Sequence, residues 1–167
     1  MYVYYTSTQQ GSAGQGLLPV PQMWRDHKTS ILILMENPCY CGNADPYPNC
    51  CEPWHLGFKD HSCTPATAEQ LMRSRYSAYV LGLEDYLLAS WHASTRPAEL
   101  NLQQEQDVKW LGLSIRATEA GLAKDDVGYV EFVARYKING KATRIHERSR
   151  FLKENNRWFY VDGEMKA

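Results

Sequence analysis

The sequence lacks the features that place a chain in a membrane or assign it to a common enzyme class. The apolar segment ILILM (31–35) is far shorter than a membrane span or the hydrophobic part of a signal peptide. No nucleophile elbow, phosphate-binding loop or dinucleotide-binding motif is present. We therefore expect a soluble cytoplasmic protein, and we favour a role in binding over a role in catalysis.

The sequence also lacks an excess of positive charge. It has 18 Lys and Arg against 19 Asp and Glu, whereas binding to nucleic acid generally needs a basic surface. Nucleic acid is thus not the expected partner, although aromatic residues alternate with basic ones at 135–137 and 157–160, a pattern that can stack bases. Hydrophobic residues make up 44% of the 167, enough for one packed domain with a small appendage.

Four of the five cysteines lie within thirteen residues, as Cys39-Tyr40-Cys41 and Cys50-Cys51. The segment between the pairs, GNADPYPN, is rich in residues that favour tight turns, so both pairs can approach one ion. Thiols stay reduced in the cytoplasm, and an odd number of cysteines weakens a disulfide framework. We predict that Cys39, Cys41, Cys50 and Cys51 bind a metal; paired or redox-active thiols are the alternative.

Zinc is the expected metal, because four thiolates suit a closed structural zinc site with no open position for water. Iron is the alternative ion. His55, four residues after Cys51, is an alternative ligand that would replace one cysteine, and His61 has less support. Cys63 is predicted to be a small buried residue outside the ligand set.

The composition divides the chain into three regions. Residues 1–35 form an N-terminal extension that contains a linker-like GSAGQG segment; it is either a tail or a mis-assigned start before Met35. Residues 36–63 form the cysteine module, which is too small for a core and should be ordered by its metal. Residues 64–167 form the main domain.

The main domain begins with a helical pattern. Thr67-x-x-Gln70 is a capping-box signature, and apolar residues then recur at helical spacing before and after Gly82. Pro97 predicts a third short helix that runs to about Gln106. Arg73 and Arg75 face either solvent or the core, where one would pair with Glu131 or Glu147.

The second half of the domain has the alternation of β-strands. Four strands are predicted at 110–120, 129–137, 143–153 and 158–161, and Asn139-Gly140 is a strong signal for a two-residue hairpin turn. Helices followed by an antiparallel meander indicate an α+β domain with helices on one face of a curved sheet. A homodimer through the open sheet face is expected by analogy with such domains.

A second group of polar residues lies on the third predicted strand. His146, Arg148 and Arg150 share one face of it, while Glu147, Ser149 and Phe151 share the other. If one face lies inside the curved sheet, a small-ligand pocket with His92 or His146 as general base would contain the following residues: Trp91, His92, Arg96, His146, Glu147 and Arg148. We favour the alternative, in which these charges pair across strands on an exposed face, with Glu131, Arg135 and Lys137.

Several segments resemble the YchJ-like family of bacterial proteins: LMRSRYSAYVLGLEDYLLASWHASTRP (71–97), VGYVEFVARY (127–136), HERSRF (146–151) and RWFYVDG (157–163). The cysteine block resembles the SEC-C motif that opens members of that family and that also ends the SecA translocation ATPase. The resemblance implies a zinc-binding SEC-C segment followed by a cone-shaped domain like that of nuclear transport factor 2.

The resemblance to SecA, whose similar zinc segment docks a protein, implies an adaptor linked to chaperones or ribosomes. Tyr40, Tyr47 and Trp54 would then supply the apolar contact. SEC-C motifs usually carry a Gly-Ser-Gly-Lys-Lys-like segment after the second cysteine, whereas Gly42 is followed here by Asn-Ala-Asp-Pro. A contact that needs those lysines is therefore not expected.

The cysteine pattern predicts the metal content of the purified protein. The chain isolated without chelator or metal-affinity tag should carry about one zinc ion. A Cys39→Ser, Cys41→Ser variant should carry none, because only two of the four thiolates remain to bind the ion. Elemental analysis of both proteins, with the Cys63→Ser variant as control, checks this. Retention of the ion by the double variant would contradict the assignment.

Overall fold

A computed structural model of the chain describes residues 38–102 and 108–167. Its main feature is one antiparallel sheet in which each strand pairs with its neighbour in sequence. The strands are β1 (Val108–Ala120), β2 (Val127–Ile138), β3 (Lys141–Glu154) and β4 (Arg157–Met165). The predicted extension at residues 1–35 lies outside the described residues.

The two tight hairpins are formed by residues that accept a left-handed backbone. Asn139 and Gly140 have φ of 50° and 78°, and Asn155 and Asn156 have φ of 48° and 62°. A two-residue turn of this kind needs positive φ at both positions, and its twist matches that of the strands. The predicted turn at Asn139-Gly140 is confirmed, and it sets the register of β2 against β3.

The sheet is bent by register shifts near its two edges. In β1 the pairing shifts between Trp110 and Gly112 and again between Ile115 and Ala117, and β4 shifts opposite Arg150 and Phe151. Extra residues of this kind increase local twist and bend a strand. The result is a sheet with one concave face.

Within residues 38–102, three α-helices accompany the sheet: α1 (Glu52–Gly57), α2 (Ala68–Leu81) and α3 (Glu84–Ala89). The predicted capping box is present at the start of α2, where the Gln70 amide donates to Thr67 Oγ1 and the Thr67 amide donates to Gln70 Oε1. Gly82, with φ of 68°, ends α2 in the left-handed conformation. None of the helices in the described ranges is long and apolar enough to cross a membrane.

The core lies between α2 and the concave face of the sheet. Leu71 and Tyr76 of α2 are buried with Phe132, Phe151 and Trp158 of the strands. The indole nitrogen of Trp158 donates to the Ala66 carbonyl at 3.1 Å and fixes the entry to α2. Helices on one face of a curved antiparallel sheet are the predicted α+β fold, which is confirmed.

Residues 97–101 are not helical, so the third helix predicted from Pro97 does not form there. The backbone amides of Leu100 and Leu102 donate instead to the Glu84 carboxylate of α3. A side chain thus satisfies the donors that a helix would have used. The remainder of the predicted helix lies largely within 103–107, outside the described residues.

Candidate metal centre and ligand cavity

The backbone of the cysteine module brings the two cysteine pairs together. The Cys39 amide donates to the Asp45 carbonyl at 2.9 Å, and the Gly42 amide donates to the Cys39 carbonyl at 3.0 Å. Gly42 has φ of 86°, which favours glycine at this turn. A 3-10 turn at Tyr47–Asn49 and the start of α1 then hold Cys50 and Cys51 opposite the first pair.

The four thiol groups fit one tetrahedral ion. All four sulfur atoms lie within 4.8 Å of one another, with Cys41 Sγ 3.6 Å from Cys50 Sγ and Cys50 Sγ 3.9 Å from Cys51 Sγ. Ligands at zinc–sulfur bond lengths on a tetrahedron are about 3.8 Å apart. All four cysteines are buried, so the geometry is that of a closed metal site.

The thiols strongly influence one another's protonation. Hydrogen bonding from Cys51 lowers the pKa of Cys41, while burial raises the pKa of Cys50 and the hydrogen bond to Cys41 raises that of Cys51. Several buried thiolates this close repel each other, so without a cation only part of the set ionises. A divalent ion removes that conflict, because it stabilises every thiolate at once.

Asn43 is a neighbour of the metal site that the sequence analysis did not select. Its side-chain amide lies 3.5 Å from Cys50 Sγ as a donor, and donors of this kind orient and tune a metal-bound thiolate. It occupies part of the segment where the usual SEC-C motif is basic. In the sequence, the only indication of this contact was that Asn43 lies close to Cys41.

His55 bonds the cysteine module to α2 and does not have the contacts of a metal ligand. Its Nε2 lies 2.9 Å from the Ser74 carbonyl oxygen, which only accepts, so Nε2 carries the proton and donates. Its Nδ1 then accepts from the Tyr47 hydroxyl at 2.9 Å. Burial lowers the pKa of His55, which favours this neutral form. Both ring nitrogens are therefore occupied by α2 and the module, not by a metal.

A second contact ties the metal loop to the same helix. Arg73 of α2 donates to the Cys41 carbonyl at 3.1 Å and pairs with Glu69 at 2.8 Å. Arg73 thus joins the backbone of the cysteine cluster to the helix rather than simply facing solvent. Cys63 is only half-buried and lies outside the group of four close cysteines.

The concave side of the sheet and α2 enclose a cavity of about 530 Å³. Its walls are mainly apolar and rich in aromatic rings: Trp110 lies between Tyr76 and Tyr136, with ring centroids 5.4 and 5.5 Å away. The alternating residues Phe132, Ala134, Tyr136 and Ile138 of β2 all line it. That period-two pattern was the sequence signal for the apolar wall.

One side of the cavity is polar. Arg75 of α2 is buried there, donates to the Leu87 carbonyl at 2.7 Å and to Ser90 Oγ at 2.8 Å, and lies over the rings of Trp91 and Tyr160. Glu147 accepts from Ser149 Oγ at 2.6 Å and from the Tyr160 hydroxyl at 3.3 Å. Burial, together with the Glu147 carboxylate, raises the pKa of Tyr160, which keeps its hydroxyl a donor.

The structure divides the six residues predicted for the pocket. Trp91 and Glu147 line the cavity. The other four residues, which lie outside its lining, are His92, Arg96, His146 and Arg148.

The alternation of β3 explains this division on the strand. Glu147 and Ser149 point into the concave side, so His146 and Arg148 point to the convex side, where they pair with Glu131 at 2.7 Å and Glu119 at 2.6 Å. The pair of His146 with Glu131 is one of the cross-strand pairs predicted from the sequence, whereas Arg148 and Arg150 pair with Glu119 and Asp162, which were not named as partners.

The remaining two residues follow α3. His92 turns away from the cavity towards Glu154, at 3.1 Å, and Ser94, at 2.6 Å. Arg96 is exposed. The chain has already left the helix at this point and runs along the edge strand β4, to which the His92 amide bonds through the Tyr160 carbonyl.

Comparison with known proteins gives consistent matches. Residues 67–163 match the family model described as the YchJ middle NTF2-like domain. A UPF0225 protein of Chromobacterium violaceum is 56% identical over 126 residues, which cover 75% of this chain and 90% of the relative. A UPF0225 protein of Bordetella pertussis is 52% identical over 129 residues, which cover 77% and 92%.

Two solved structures have the same fold. A SEC-C motif containing protein from Rhodopseudomonas palustris, solved in solution, has a TM-score of 0.67 and 31% identity, covering 78% of this chain and 99% of that chain. The crystal structure of a SEC-C motif containing protein from Psychrobacter arcticus has a TM-score of 0.65 and 26% identity, covering 81% and 86%. Both structures support the predicted order of a SEC-C segment followed by a cone-shaped domain.

The contacts of His55 predict a selective loss of stability. A His55→Asn variant should lose about 2 kcal/mol of unfolding free energy, because it breaks two buried hydrogen bonds. It should keep its metal, because His55 is not a ligand. The control His61→Asn changes an exposed residue with φ of 61°, a conformation that Asn tolerates, and should change stability by less than about 0.5 kcal/mol.

Chemical denaturation and elemental analysis of the two variants measure both effects. Loss of the metal from His55→Asn at full thermal stability would show that His55 is a ligand. Equal destabilisation by the two substitutions would show that the contacts to Ser74 and Tyr47 carry no special weight.

Proposed function

This chain belongs to the YchJ-like family, and from that premise we propose that it is a non-enzymatic binding protein. Its cone-shaped cavity holds a small molecule, and its cysteine module carries a structural zinc ion. The observation that carries the proposal is the aromatic cavity of about 530 Å³. Small-molecule sites are typically concave, mostly apolar spaces of roughly 300–1,000 Å³ with a few polar groups.

The assignment of zinc rests on the donor set. Four thiolates favour zinc or iron, and a site filled by four protein ligands has no position for a bound water. The role is therefore structural. The ion would hold the module in the shape that places His55 and the Cys41 carbonyl against α2.

Binding is favoured over catalysis by the position of the two histidines. An acid–base role for His92 or His146 needs the imidazole to reach the bound substrate. Both rings lie outside the cavity lining and bond to glutamates elsewhere. Among the polar groups that do line the cavity, Ser149 and Tyr160 donate to Glu147, and Arg75 is held by Leu87 and Ser90 behind the wall, an arrangement suited to recognition.

The proposal predicts that filling the cavity abolishes binding. Ala134 is a buried lining residue on β2, and an Ala134→Phe variant would place a ring in the space a ligand needs. We expect calorimetry with the neutral aromatic probe 2-naphthol to show affinity reduced at least about tenfold. Circular dichroism and thermal unfolding verify that the variant remains folded.

The matched control is Ala142→Phe, which makes the same substitution at an exposed position beside the β2–β3 turn. It should leave probe binding unchanged. Equal affinity of the folded Ala134→Phe variant and the unaltered chain would mean that the probe binds outside the cavity, and the proposed function would fail.

A second candidate function is protein contact through the cysteine module. Two large apolar side chains of the module are exposed, Tyr40 by 48% and Leu56 by 73%. Trp54, which the sequence analysis assigned to such a contact, instead packs between the cysteines and the residues around Tyr86. Tyr47 is held by His55. An adaptor surface would therefore use Tyr40 and Leu56.

Affinity purification with quantitative mass spectrometry tests this second function. The Tyr40→Ser, Leu56→Ser variant and the metal-free protein should both lose a partner that the unaltered protein captures, because the apolar contact is removed or misplaced. Leu122→Ser changes a side chain that is 66% exposed at the β1–β2 turn and should retain it. The adaptor role would be abandoned if the double variant kept every partner.

A further inference from the structure

We propose that the cavity takes an organic cation, a small molecule whose protonated amine meets Glu147 and whose apolar body lies among the aromatic rings. This inference rests on the proposed function, because it assigns a chemical class to the ligand of the same cavity. Its basis is the position of one carboxylate in an aromatic enclosure.

The Glu147 carboxylate is directed into the cavity and has a fixed position. Ser149 Oγ and the Tyr160 hydroxyl both donate to its Oε1, at 2.6 and 3.3 Å. None of the ion pairs formed within 38–102 and 108–167 involves Glu147. Its negative charge is thus stabilised by two hydroxyl groups and, without an ion-pair contact, by the charge of Arg75.

Gly163 shows that the fold makes room for this carboxylate. It lies opposite Ser149 in the pairing of β3 with β4. A methyl group added at Gly163 would overlap the carboxyl carbon and Oε1 of Glu147. Gly163 is not among the glycines with positive φ. Glycine is therefore needed here to leave room for the carboxylate and not to allow an unusual backbone conformation.

The aromatic walls favour a positive charge as well. The ring faces of Tyr, Trp and Phe attract cations, and enclosures of such rings are a common way to bind ammonium groups. Five such rings line the cavity: Tyr76, Trp110 and Tyr136 in one group, and Trp91 with Tyr160 in another. Arg75 already demonstrates the effect, with its guanidinium carbon 5.0 Å from the ring of Trp91 and 4.7 Å from that of Tyr160.

Arg75 is itself positive, and the Glu147 carboxylate is one of the groups that stabilise its charge, but its hydrogen bonds go to other groups. The residue is only 3% exposed; its guanidinium donates to Leu87 and Ser90 and stacks against two rings. An anionic ligand would have to approach the Glu147 carboxylate, and like charges at close range in an apolar site repel strongly. A ligand with a single ammonium group meets the available carboxylate instead.

A series of three ligands with one ring and different end groups tests the inference. The probes are 2-phenylethylamine, 2-phenylethanol and phenylacetate, which are positive, neutral and negative at neutral pH. Isothermal calorimetry on the full-length, metal-loaded chain should give the amine at least about tenfold higher affinity than the alcohol, and phenylacetate the weakest binding. Glu147→Gln should remove the advantage of the amine while the affinity for the alcohol stays within about twofold.

Two further variants complete the design. Glu131→Gln makes the same change on the convex face, where Glu131 bonds to His146, and should keep the preference for the amine. Gly163→Ala keeps the carboxylate but displaces it, and should lower the affinity for the amine alone. If Glu147→Gln fails to fold, Gly163→Ala takes its place in the test.

The outcomes separate this inference from the proposed function. If the alcohol binds in the cavity as tightly as the amine, or if both Glu147→Gln and Gly163→Ala retain the preference for the amine, the assignment of a cation is wrong and the binding function stands. Tighter binding of phenylacetate would likewise overturn the assignment. If none of the three probes binds, and Ala134→Phe and the unaltered chain treat 2-naphthol alike, the binding function fails together with the inference.

Discussion

The seating of helix α2 on the sheet is the contact on which the other parts of this protein depend. At its start, Ala68 lies against Gly121, which follows β1, and Gly128 of β2, and these residues are so close that a methyl group added at either glycine would overlap its neighbours. The Ala68 amide donates to the Gly121 carbonyl at 2.9 Å. Only small residues permit this approach, which fixes the height and direction of α2 above the concave face.

From that position α2 serves two sites with neighbouring residues. The Ser74 carbonyl accepts a hydrogen bond from His55, and Arg73 donates to the Cys41 carbonyl, so one side of the helix contacts the cysteine module. Met72, Arg75 and Tyr76 line the cavity on the other side. The metal centre and the cavity are thus attached to a single turn of helix, and neither can shift without moving groups that contact the other.

Local patterns predicted much of this arrangement. Thr67 and Gln70 specify the start of α2, Asn139-Gly140 specifies a hairpin, and the close spacing of four cysteines specifies their meeting, because each depends on a few neighbouring residues. The orientation of the β3 side chains is not specified by such a local pattern. Alternation separates His146 from Glu147, but only the packing of α2 on the sheet decides that Glu147 points inward.

Other features depended on contacts between distant residues. The burial of Arg75 depends on acceptors in α3, and the irregular path after Pro97 depends on the Glu84 carboxylate. Neither carries a signal within its own segment. The same holds for His55, whose spacing from Cys51 resembles that of a ligand although its partner is a helix carbonyl in the following domain.

The pairing of every strand with its neighbour in sequence also bears on how the chain reaches this structure. Two-residue turns join β2 to β3 and β3 to β4, so the sheet can grow one hairpin at a time with little loss of chain entropy at each step. The distant contacts, such as Trp91 with Tyr160 and Trp158 with Ala66, close longer loops. We expect the meander to assemble early, with α2 and the cysteine module closing over it as the slower step.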